Sequence, residues 1–186
     1  FIARTHAQTA RAILVPGTVA GLILALERFG TLPLATVLGP AIRLARDGFP
    51  IDETLGQIIL DHVPLVGRDS ATASVYLQDG FPLVAGDTLR QPDLANTLTA
   101  IAVEGRAGFY EGPIARALAE GVQSTGGALT LDDLRSTQAQ LLEPVRGTYR
   151  GFDIYSAPPP HSGVHVLEAL NILENENLAA LGHYAT

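Results

Sequence analysis

The chain has 186 residues, 47% of them apolar and 17% charged, with a net charge of −7. That length supports a real core, and the composition is globular and not that of a disordered tail. The negative balance argues against nucleic acid, whose phosphates need a basic surface, and against an anionic membrane surface.

The longest apolar run, Val19 to Leu26, is far below the roughly 20 residues a spanning helix needs, so no membrane span is expected in this segment. Phe1-Ile2-Ala3-Arg4 does not read as a secretory signal. Cysteine is absent, which removes disulfides, thiolate nucleophiles and Cys-ligated zinc, and with them any reading of redox compartment. Methionine is absent too, even at position 1. The chain is therefore expected to be processed, truncated or incompletely represented.

Pro16-Gly17-Thr18 opens the first predicted helix, with Thr18 as N-cap. Val19 to Phe29 is apolar on almost every side, the pattern of a buried helix, and Gly30 fits the position that stops it. From Pro33 to Asp47, Leu34, Val37, Leu38, Ala41, Ile42 and Ala45 form one face at helical spacing. Gly39-Pro40 inside that run predicts a kink or two abutting helices, and Gly48 ends it. Asp52 caps a third helix with Leu55, Ile58, Ile59 and His62 on one face. Between Val63 and Asp87 the pattern breaks into short extended pieces such as Ser74 to Leu77, punctuated by Gly67, Gly80, Pro82 and Gly86.

Pro92 starts another helix at the position proline tolerates best, with Leu94, Leu98, Ile101 and Ala102 as its buried stripe and Gly105 closing it. Pro113 repeats the device, with Ile114, Leu118 and Val122 on one face before Gly126-Gly127. Thr130 and Asp133 resemble a capping box for a short helix at Leu131 to Leu134. The one clear strand region is Val145 to Tyr155, a predicted hairpin about Arg150-Gly151. Pro158-Pro159-Pro160 reads as a stiff extended joint. Val166, Ala169, Leu170 and Leu173 mark a last helix. Pattern alone gives a helix-rich α+β chain, a single segment 1–186 with no internal boundary.

His161 and His165 are four apart, a spacing that could hold a metal on one helix face. No Cys exists and no acidic residue lies within the pair to complete a ligand set, so two surface histidines are the plainer reading and no metal is expected. Ser162 lacks the glycine elbow of a nucleophilic serine and reads as a helix N-cap. Gly126-Gly127 and Gly108-Phe109-Tyr110-Glu111-Gly112 lack phosphate-cradling spacing and read as turns. Asp132-Asp133 suits the dipole of a helix start, and Glu174 and Glu176 suit a solvated helix end. Arg4 could grip a carboxylate with two parallel hydrogen bonds, although most arginines are solvated surface.

Several phrases follow one another in a set order: Val15-Pro16-Gly17-Thr18-Val19-Ala20-Gly21, Gly30-Thr31-Leu32-Pro33, Pro40-Ala41-Ile42-Arg43-Leu44-Ala45-Arg46-Asp47-Gly48-Phe49 and Gly86-Asp87-Thr88-Leu89-Arg90-Gln91-Pro92-Asp93-Leu94-Ala95. Then come Gly108-Phe109-Tyr110-Glu111-Gly112, Gly126-Gly127 with Leu129-Thr130 and Asp133-Leu134, and Glu143-Pro144-Val145 with Tyr149-Arg150-Gly151. Pro158-Pro159-Pro160 and Leu170-Asn171-Ile172-Leu173-Glu174 close the series. This order resembles the γ-glutamyltranspeptidase family from about Val15 to His183, in the central part of its large subunit.

The resemblance implies an N-terminal-nucleophile hydrolase with a four-layer αββα core, made as one precursor that cuts itself into a large and a small subunit. The small subunit's new N-terminal threonine would be the nucleophile, with its own α-amino group as base and backbone donors holding the oxyanion. A γ-glutamyl donor such as glutathione would pass its γ-glutamyl group to water or to an amino acid or peptide acceptor, with no cofactor. The family's Thr-Thr-His processing run is absent here and Thr186 is at the wrong end to be the nucleophile, so no catalytic residue is expected in this chain. The resemblance places Arg4 on the donor's α-carboxylate, although the glutamate and proline of the family's Arg-Glu-x-Ala-Pro setting are missing. His161 and Val164 stand where the family tends to have serine and glycine. Bacterial members are usually periplasmic or secreted. Cephalosporin acylases share the fold, and a non-catalytic scaffold segment is the reading from another class.

Overall fold

The computed structural model describes residues 9–182. The chain groups into two compact units, residues 1–139 and 140–186. No glycine- or serine-rich linker marks the join, so composition gives no sign of it.

In the first unit a 3-10 turn at Ala10–Ala12 precedes α1, Thr18–Phe29. Gly17, not Thr18, occupies the cap position, because the Gly21 N–H already reaches the Gly17 carbonyl at 3.0 Å. A first-turn donor, the Ala20 N–H, is satisfied by the phenol of Tyr110 instead. The expectation of an all-round buried helix is corrected: Ala20 and Ile23 are buried, while Leu22 and Phe29 are 66% and 76% exposed. Gly30 stops the helix in an extended conformation, where a side chain would collide with Leu26.

α2 (Leu34–Asp47) is one continuous helix with Pro40 inside it, not two abutting helices. Proline withholds a single ladder donor, and α2 packs against α6 (Pro92–Glu104). Gly48 ends α2 at φ 89°, a conformation that favours glycine. β1 (Phe49–Pro50) then pairs antiparallel with β4 (Thr88–Leu89). The Asp52 carboxylate caps α3 (Glu53–Asp61) by accepting from the Leu55 N–H at 2.8 Å.

After the short α4 (Val63–Val66), α5 (Ser70–Tyr76) replaces most of the expected extended piece. The cause is a cap that pattern reading missed: Asp69 accepts from the Thr72 N–H at 2.7 Å. Only β2 (Leu77–Gln78) is extended there, pairing with β3 (Phe81–Pro82) across Asp79-Gly80. Ile51, Ile59, Leu83 and Leu89 bury one core beneath these elements.

Pro92 sits in the first turn of α6 as predicted, and Gly105 closes it at φ 62°. α7 (Ala107–Tyr110), α8 (Gly112–Ser124) and α9 (Leu131–Ser136) follow. The second core lies here, with Tyr110 and Leu134 fully buried among Ala20, Ala115, Ala119 and Leu129. Ala115 and Ala119 are the buried residues of α8, and Leu118 and Val122 of the predicted face pack against the same core. In α6 the buried residues are Ala95 and Ile101, while Leu94 is exposed.

The second unit holds the hairpin of β5 (Val145–Tyr149) and β6 (Phe152–Ser156), followed by α10 (Gly163–Glu174) and α11 (Leu178–Leu181). Arg150 and Gly151 turn the hairpin with φ of 48° and 84°, the two positive values a tight two-residue turn requires. Gly147 in β5 leaves room for Leu167 of α10. α10 is the predicted last helix, with Leu167 as its buried apolar side chain and Val166 exposed. The Pro158-Pro159-Pro160 segment is not an extended joint. It turns, closed by a 3.1 Å bond from the His161 N–H to the Pro158 carbonyl. Described strands therefore form three two-stranded ladders: the predicted hairpin, β2–β3 within the stretch where short extended pieces are expected, and β1–β4.

Candidate functional site

Arg4, the residue assigned to the donor carboxylate, lies outside the described residues, as does Thr186. No helix among the described residues is long and apolar enough to cross a membrane.

The His161–His165 stretch does not form a helical ligand pair. α10 begins at Gly163, so His161 belongs to the preceding turn and only His165 rides the helix, and both are exposed. No group of three or more potential metal-ligating side chains occurs among the described residues. Ser162 takes the N-cap position of α10 but its hydroxyl makes no cap bond. Gly163 is fixed by space: a side chain there would collide with the Ala157 carbonyl.

Thr130 and Asp133 form the predicted capping box. The Thr130 hydroxyl accepts from the Asp133 N–H at 3.1 Å, and the Asp133 carboxylate accepts from the Thr130 N–H at 2.9 Å. Hydrogen bonds from the Thr130 hydroxyl and then its N–H hold the Asp133 carboxyl below its ordinary range. Glu174 is more than a solvated helix end. Its carboxylate accepts from the Arg150 N–H at 2.6 Å, and the Arg150 guanidinium donates to the Glu176 carbonyl at 3.1 Å, fastening the hairpin turn to the end of α10.

Sequence reading gave no role to Arg106 and treated Tyr110 only as part of a glycine-flanked turn. In the structure they form the most connected polar node. Tyr110 Oη donates to the Pro16 carbonyl at 2.6 Å and accepts from the Ala20 N–H at 3.1 Å. The Arg106 guanidinium lies 4.9 Å from the Tyr110 ring centre. It donates to the Arg135 and Thr137 carbonyls at the end of α9 and pairs with Glu111 at 3.4 Å. A small open cavity of about 170 Å³ adjoins it, lined by Ala20, Ile23, Glu27, Arg106 and Gln138. Every donor direction of this arginine that meets a partner ends on the protein's own backbone or on Glu111. The node is thus built to hold α1, α7 and α9 together.

The γ-glutamyltranspeptidase family model matches residues 3–185. The chain belongs to the γ-glutamyltranspeptidase family. It is 44% identical over 184 residues to the Acylase ACY 1 proenzyme of Pseudomonas sp. (strain V22), covering 98% of this chain and 33% of that protein. It is 41% identical over 169 residues to the glutathione hydrolase proenzyme of Escherichia coli (strain K12), covering 90% of this chain and 29% of that protein. Among solved structures it superposes on Helicobacter pylori γ-glutamyltranspeptidase with a TM-score of 0.93 at 34% identity, covering 99% of this chain and 54% of that one. The chain thus spans about a third of the length of the two relatives. Its helix-rich α+β architecture is part of the N-terminal-nucleophile hydrolase fold of this family.

Proposed function

We propose that this chain is the helix-rich central portion of the large subunit of an enzyme that cleaves γ-glutamyl amide bonds. The γ-glutamyl group of a donor such as glutathione passes to water or to an amino acid or peptide acceptor. The nucleophile is the N-terminal threonine of a companion small subunit produced from the same precursor, and this chain supplies packing support and no catalytic group. Arg4 is the proposed grip on the donor's α-carboxylate, through the paired hydrogen bonds a guanidinium makes to a carboxylate. The observation that carries the proposal is the superposition on a γ-glutamyltranspeptidase over 99% of the chain.

One observation favours a second reading within the family. The acylase proenzyme of Pseudomonas sp. shares 44% identity over 98% of the chain, as high as the glutathione hydrolase of Escherichia coli at 41% over 90%. Side-by-side turnover of a γ-glutamyl anilide and a glutaryl-cephalosporin amide by the full-length processed protein decides between them. Release of the anilide chromophore supports the γ-glutamyl reading. Cleavage confined to the cephalosporin amide replaces it with the acylase reading.

A further inference from the structure

One face of α1 ends in a charge. Ala20, Ile23 and Leu24 continue at helical spacing into Glu27, and all four line the cavity of about 170 Å³ beside Arg106. The opposite wall is Arg106, at the N-cap of α7, and Gln138, which follows the cap residue Thr137 of α9. Glu27 and Arg106 thus border one hollow without pairing, and the carboxylate partner of the arginine is Glu111 instead.

Three observations give this hollow two opposite poles. First, the Glu27 carboxylate meets no donor and no cation among the described residues. It sits in the last turn of α1, where the helix dipole is also negative, so a cation brought there is favoured by both. Second, Arg106 keeps a donor in reserve. Its Nε and Nη2 atoms are committed to carbonyls at the end of α9. Nη1, which carries a second hydrogen, meets only Glu111, at 3.4 Å and half exposed. The Gln138 side chain, also without a partner, stands on the same wall. Third, the floor between the poles is apolar, with Ala20 and Ile23 both buried.

We propose that this cavity binds a small zwitterion of the α-amino-acid class. The ammonium group lies at Glu27, and the carboxylate accepts from Arg106 Nη1 and the Gln138 amide. At roughly 30 Å³ for each water-sized group, the cavity takes about six non-hydrogen atoms, the size of alanine. Glycine and serine fit as well, whereas a long acidic or aromatic side chain does not. The bound zwitterion bridges the end of α1 to the segment after α9, two places that the Tyr110–Arg106 node already holds in register. Two charge-assisted contacts in an open site set a dissociation constant on the order of 1 mM.

Hydrogen exchange on the full-length processed protein, titrated with L-alanine, reads this binding without turnover. L-Alanine is expected to slow the amides of the last turn of α1 and of Gln138 and Ala139 severalfold. Acetate lacks the ammonium group and ethylamine lacks the carboxylate, so neither is expected to slow them at the same concentration. Glu27→Gln is expected to raise the half-maximal L-alanine concentration roughly tenfold. Glu27 is exposed and unpartnered, so the variant should keep the wild-type unfolding midpoint. No slowing by L-alanine at up to roughly 100 mM would overturn the proposal. Equal slowing by acetate would do the same, since it marks a bare contact between arginine and an anion. An unshifted titration in a Glu27→Gln protein of normal midpoint would remove the ammonium pole and the proposal with it.

Discussion

The phenol of Tyr110 donates a 2.6 Å hydrogen bond to the carbonyl of Pro16, 94 residues earlier in the chain. The same oxygen accepts from the Ala20 N–H, so one buried side chain holds both the approach to α1 and its first turn. Tyr110→Phe keeps the ring and its packing but strands the Ala20 donor. A buried donor left without a partner costs about 1–3 kcal/mol. Denaturant titration of the full-length protein should show a loss of that size. An unchanged midpoint would mean that water replaces the phenol.

Arg106 supplies a second latch. Its fork serves two carbonyls at the end of α9 while its face lies on the Tyr110 ring. Lysine keeps the charge but not the planar fork, so Arg106→Lys should lose about 1–2 kcal/mol of stability and speed amide exchange in α9. If Arg106→Lys is neutral and Glu111→Gln is costly, the ion pair and not the fork matters.

Asp133 makes α9 acid-sensitive. Its carboxyl is depressed below its ordinary value of 3.8 by the Thr130 hydroxyl and N–H. A depressed folded value stabilises the native state above the unfolded pKa, and that contribution is lost as pH falls through the folded value. The α9 amides should therefore become less protected as pH drops below about 4, and Asp133→Asn should remove that dependence. Identical acid profiles for the two proteins would contradict the assignment.

Much of this was legible in the sequence because it is local. Asp52, Pro92, Thr130 with Asp133, and Arg150-Gly151 each act within a few residues, and each does in the structure what its type and spacing predict. Long-range determinants were not legible. Nothing near Tyr110 in the chain announces Pro16, and nothing near Arg106 announces Thr137. The apolar surround of α1 was read correctly as a pattern, yet Leu22 and Phe29 stay exposed, because composition says that a face wants covering and not which polypeptide covers it. The family was recognisable from ordered phrases.

Arg4 can be tested in the complete enzyme. If its guanidinium grips the donor's α-carboxylate, Arg4→Ala should weaken donor affinity roughly tenfold or more, as loss of a charge-assisted pair does, with little change in unfolding midpoint. Unchanged donor affinity removes Arg4 from the site.

The central claim is that the reaction centre is contributed by polypeptide other than these 186 residues. Its most direct test is turnover of a γ-glutamyl anilide by this chain, shown by intact mass to be free of any companion and by circular dichroism to be helical. The account predicts no chromophore release above the uncatalysed rate, with activity appearing only when a threonine-initiated chain accompanies it. Turnover by the solitary chain would contradict it.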